Sequence, residues 1–114
     1  MNTITDNTTE NNKLIAKFMQ PSFNGVGLYN QDGVHFPIEE LEFHISWDWL
    51  MPVVQKIESL GYTFTIAGVM AKVTKVLDIE NSIVSLVLGD KSQKLRLVYE
   101  TVVELIKWYN QQNS

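Results

Sequence analysis

The chain has 114 residues, of which 45% are hydrophobic and 11% aromatic. That is enough for one packed domain that needs no metal or disulfide staple. Lys and Arg number 9 against 13 Asp and Glu, a formal charge of −4 that argues against duplex DNA or RNA, whose binding neutralises several phosphates. There is no cysteine, which excludes disulfides, thiolate-bound zinc and thiol catalysis. No apolar run approaches the ~20 residues that span a bilayer. The start lacks the basic and apolar stretches of a signal peptide, so a cytoplasmic location and no membrane contact are expected.

"MNTITDNTTENN" is polar. Residues 1–8 read as a flexible lead-in, 9–110 as a single domain and 111–114 as a frayed end. Asn7 with Glu10, or Thr9 alone, offers a cap to a first helix. In that helix Leu14, Ile15, Phe18 and Met19 share a face, and Pro21 stops it. The stretch from 21 to 45 is the least regular. "NQDG" has turn composition, and both a small hairpin and a structured loop fit it. Its aromatics Phe23, Tyr29, Phe36 and Phe43 argue for order.

Ser46 is the expected N-cap of a second helix, with Asp48 near its positive end and Gly61 as its stop. Trp47, Leu50, Val54, Ile57 and Leu60 form its predicted core stripe. Trp49 falls about 200° from Trp47 around a helix, so the two do not face the same core. From Tyr62 the period changes to two. "YTFTI", "GVMAKVTKVLDI" and "SIVSLVL" predict three strands in an antiparallel meander, with "DIEN" as the turn between the last two. A third helix, capped by Asp90 or Ser92, carries the stripe Leu95, Val98, Val102, Leu105, Ile106 and Tyr109. The expected fold is α+β: three helices packed with a small antiparallel sheet of three to four strands, in an arrangement like an α/β/α sandwich.

"NNKLIAKFMQ", "SWDWLMPVVQKIESLGY" and "YETVVELIKWYN" together resemble small phage and prophage proteins of the phage α/β/α (ABA) sandwich domain family. The blocks cover roughly a third of the chain, and none is a catalytic signature. A departure lies at Gln20-Pro21, where proteins of that family often carry a glycine after the "FM" pair. The resemblance implies a phage accessory protein in the host cytoplasm, and it assigns no functional residue.

No catalytic constellation stands out. His35 and His44 flank Glu39, Glu40 and Glu42, but without the spacing of a metal-binding helix. There is no nucleophile elbow and no phosphate-binding glycine motif, and no cofactor is expected. A binding protein is the leading reading, with antagonism of a host defence system as its role. Its sharpest form sequesters an anionic nucleotide second messenger. Trp49, Tyr29 and Trp108 would supply stacking faces, and Lys72, Lys75, Lys91 and Arg96 the phosphate contacts. The alternative is a homo-oligomeric protein-interaction module without a small-molecule ligand, or a stoichiometric inhibitor of a host protein, using a patch of Trp49, Met51 and Val53. A metal- or carboxylate-dependent hydrolase ranks third.

Overall fold

The structure is a computed structural model that describes residues 7–23, 27–75, 78–87 and 93–112. It is an α+β fold of three helices and two antiparallel sheets. Helix α1 spans Asn7–Met19, so Asn7 and Thr9 lie within it instead of ahead of it. Strands β1 (Leu28–Gln31) and β2 (Val34–Pro37) form a hairpin, followed by a 3₁₀ turn at Ile38–Glu40. Helix α2 spans Trp47–Ser59. Strands β3 (Tyr62–Ala67), β4 (Met70–Lys75) and β5 (Asp78–Val87) form a meander in that order. Helix α3 spans Lys94–Gln112 and continues into the stretch expected to fray.

The open question at 21–45 resolves as a hairpin, for a reason written in its turn. Asp32 and Gly33 take φ of 54° and 85° between the paired residues Gln31 and Val34. Two consecutive positive φ values make the tight turn whose twist matches paired strands, and an Asp-Gly pair adopts it readily. Asn30 adds a side-chain bond, its Oδ1 accepting from the Gly33 N–H at 2.9 Å.

One expected turn is corrected. "DIEN" is not the β4–β5 connection, because β5 already begins at Asp78. The pairing is irregular there: Val73 faces Val84, Thr74 faces Ser82 and Lys75 faces Asp78. Such a bulge leaves the extra residues of one strand unpaired while the strand continues. The expected caps of α3, Asp90 and Ser92, lie outside the described residues.

The core lies between the sheet and the helices. Phe64, Ala71 and Val73 on one face of the sheet join Leu97, Val98, Val102, Leu105 and Ile106 of α3, and Leu50, Val54 and Ile57 of α2. Helix α1 contributes Ile15, Ala16 and Phe18 and packs on α3. The buried stripe of α3 is wider than the sequence suggests, and includes Tyr99, Thr101 and Val103. Thr101 satisfies its buried hydroxyl by donating to the Leu97 carbonyl at 2.8 Å.

The stripe of α2 needs the second correction. Trp49, Leu50, Val53, Val54 and Ile57 are buried, whereas Trp47 is 39% exposed. At about 100° per residue, the buried side chains fill an arc whose centre lies about 70° from Trp49 and about 90° from Trp47. Trp47 also sits at the first helical position, where the core has less depth to offer. Trp49 and Val53 are therefore core and cannot form a contact patch.

Candidate functional site

Two environments meet at the start of α2. On its inner side Trp49 is only 8% exposed, inside a cluster of rings supplied by the segment before the helix. Phe36 and Phe43 meet it edge-on with centroids 5.1 and 5.2 Å away, and Tyr29 lies stacked at 6.1 Å. Phe23 and Phe43 in turn close on Tyr29. Burial, with Asp32 nearby, pushes the Tyr29 hydroxyl up to about 12. The hairpin thus exists as a lid of aromatic rings over one end of the core.

The outer side is built by the stretch between hairpin and helix. Leu41 and Phe43 are buried, which turns Glu42 between them outward. The N–H groups of Ile45 and Ser46 both donate to the Glu42 carbonyl at 3.1 Å, folding a turn that leaves Ile45 60% exposed. Ser46 then enters α2 in extended geometry without a side-chain capping bond, and its carbonyl accepts from Trp49 and Leu50. Trp47 and Met51, one turn apart, share the outer face of the helix, with Met51 37% exposed. Ile45 itself lines an open groove of about 420 Å³ together with Phe36, Glu39, Glu40, Leu41, Glu42 and His44.

A buried amide holds this loop in place. Asn12 of α1 donates from Nδ2 to the Leu41 carbonyl at 3.2 Å and meets His44 Nδ1 at 3.0 Å. Its Oδ1 accepts from the Tyr99 hydroxyl at 2.9 Å. Because a carbonyl lies on the Nδ2 side, the amide cannot be reversed without setting oxygen against oxygen. His44 must then accept at Nδ1 and carry its proton on Nε2. Burial lowers the His44 pKa below its ordinary value, with Glu42 opposing. Burial raises the Tyr99 hydroxyl, helped by Glu100. The single basic lone pair of neutral His44 is thus committed to Asn12, which leaves the ring no free nitrogen for general-base work.

The residues expected to bind an anionic nucleotide do not converge. Trp49 and Tyr29 turn their faces to each other and to phenylalanines, so neither offers a free stacking surface. Trp108 is half-buried at the far end of α3, edge-on to Tyr62 at 6.0 Å, in a groove shared with Ile83, Val84, Leu86 and Lys107. Lys72 and Lys75 lie three apart on β4 and so project from opposite faces of the sheet. Arg96 is exposed in the first turn of α3, and Lys91 lies outside the described residues. Of the expected patch of Trp49, Met51 and Val53, only Met51 reaches the surface. Among the described residues no group of three His, Asp or Glu side chains could hold a metal ion. No described helix is long and apolar enough to cross a membrane.

Ile45 carries no mark in the sequence pattern, and apolar spacing alone puts Trp47 in the core stripe. A signal for this face exists in the charge distribution. Residues 18–55 contain no Lys or Arg but carry Asp32, Glu39, Glu40, Glu42 and Asp48. All nine cations lie elsewhere in the chain, where they offset the remaining eight carboxylates. The modest net charge conceals this segregation. Compared with protein-family models, curated proteins and solved structures, the chain matches none.

Proposed function

We propose that the protein is a non-enzymatic accessory binding protein whose working surface is the face made by Ile45, Trp47 and Met51. One observation carries the reading: Ile45, Trp47 and Met51, close in sequence at the start of α2, all keep large apolar side chains exposed, and Ile45 lines an open groove. Exposed apolar groups held on a rigid scaffold are the usual makings of a protein contact. The committed lone pair of His44 supports the non-enzymatic part. The resemblance of the three sequence blocks to phage proteins supplies the setting: antagonism of a host defence protein in the host cytoplasm. A nucleotide-sequestering mechanism has weaker support, since its stacking and cationic residues lie apart.

The test is a plating assay in host strains that carry single defence systems, with the protein expressed from a plasmid. Wild type should restore plaques on a strain that otherwise resists, and Trp47→Ala/Met51→Ala should not, at equal levels of folded protein. Full restoration by the double variant would remove this face from the function. Incubation with a panel of cyclic nucleotides followed by native mass spectrometry addresses the other reading. An intact nucleotide recovered with the protein would favour sequestration.

A further inference from the structure

Resting on that reading, we infer that the occupant of the Ile45–Trp47–Met51 face is a basic segment of another protein, with an apolar anchor set between Lys or Arg side chains. Three observations point the same way. Ile45 shares its groove with Glu39, Glu40 and Glu42, and Asp48 follows Trp47 on α2; all four carboxylates are exposed, and the sequence from 18 to 55 lacks a cation. His44, which lines the same groove as Glu39, Glu40 and Glu42, has its proton disfavoured by burial. An exposed indole is also the best aromatic surface for a guanidinium. A second copy of the chain is the poorer occupant. A two-fold contact through this face would set one acidic border against the other, and like charges brought together cost affinity.

The probes are two synthetic helical peptides with the same Leu/Trp stripe, one flanked by Arg and the other by Gln, titrated into the ¹⁵N-labelled full chain. The Arg peptide should bind about tenfold more tightly at low salt, the preference shrinking as salt is raised. Its amide perturbations should centre on Ile45, Trp47 and Met51. Glu39→Gln/Glu40→Gln/Glu42→Gln should bring the Arg peptide to the affinity of the Gln peptide. Glu10→Gln/Glu58→Gln/Glu104→Gln makes the same charge change at exposed sites elsewhere and should not. Equal binding of both peptides on this face would overturn the basic partner while leaving the docking surface standing. Absence of Arg-peptide binding, or perturbations elsewhere that ignore Trp47→Ala, would also overturn it; the plating assay judges the surface separately.

Discussion

Trp47 and Trp49 are two residues apart on one helix and live in opposite worlds. Trp49 is enclosed by Tyr29, Phe36 and Phe43, while Trp47 keeps 39% of its surface open to solvent. Helical geometry forces them apart, but it does not say which goes inside. That choice is made by the hairpin, which folds over the Trp49 side and leaves the Trp47 side bare. One element thereby completes the core and creates the surface. The same division separates residues whose replacement harms folding from residues whose replacement should harm mainly binding.

The largest effect is expected on the enclosed side. Trp49→Ala should cost about 3–5 kcal/mol in urea denaturation, because it empties a ring-lined site that cannot easily collapse. A cost below ~1 kcal/mol would mean that the hairpin does not cover the ring. Next comes the amide beneath the loop. Asn12→Ala removes the side-chain donor to the Leu41 carbonyl and leaves the Tyr99 hydroxyl only the longer bond to the Thr8 carbonyl at 3.5 Å, and should cost about 2–3 kcal/mol. Hydrogen exchange should then quicken at Ile45 and Ser46 in particular, and unchanged exchange there would detach the amide from the exposed face. The hairpin turn ranks third. Gly33 has φ of 85° and open space around its missing Cβ, so Gly33→Ala should lose about 1–2 kcal/mol through backbone strain alone. A stabilised variant would contradict the turn geometry.

Acid should probe the loop more gently. Burial lowers the His44 pKa in the folded chain. As pH falls below the ordinary histidine value of about 6.5, the unfolded chain therefore takes up more protons than the native one, and stability declines. The decline levels off once the native ring is protonated as well. Comparing denaturation midpoints near pH 7.5 and 5.5, wild type should lose more than His44→Gln, and equal losses would show that His44 is not coupled to folding. The smallest effect belongs to the open side. Trp47→Ala, which removes a partly covered ring, should cost about 1 kcal/mol, well below Trp49→Ala.

Much of the fold was legible from period and punctuation. The three helices follow from apolar spacing, the meander from alternation, and the hairpin from an Asp-Gly pair at its turn. "DIEN" misled because turn-forming residues are also tolerated in a strand that carries a bulge, and only the partner strand reveals the bulge. The tryptophans misled for a similar reason. Trp47–Leu50–Val54–Ile57 and Trp49–Val53–Ile57 are both valid helical rows, and the choice between them depends on Phe36 and Tyr29, contributed by another part of the chain. Asn12 carried no local mark at all. Its partners Leu41, His44 and Tyr99 are far away in sequence, and a polar residue in a helix more often faces water. The acidic face was readable, but only segment by segment and not from the net charge.

The division between the two tryptophans can be measured by itself. In the double variants Trp49→Phe/Trp108→Phe and Trp47→Phe/Trp108→Phe a single indole reports from each side. Acrylamide should quench Trp47 readily and at longer emission wavelength, while Trp49 should emit further to the blue and resist quenching. The reverse ranking would place Trp47 in the core, and the binding face described here would not exist.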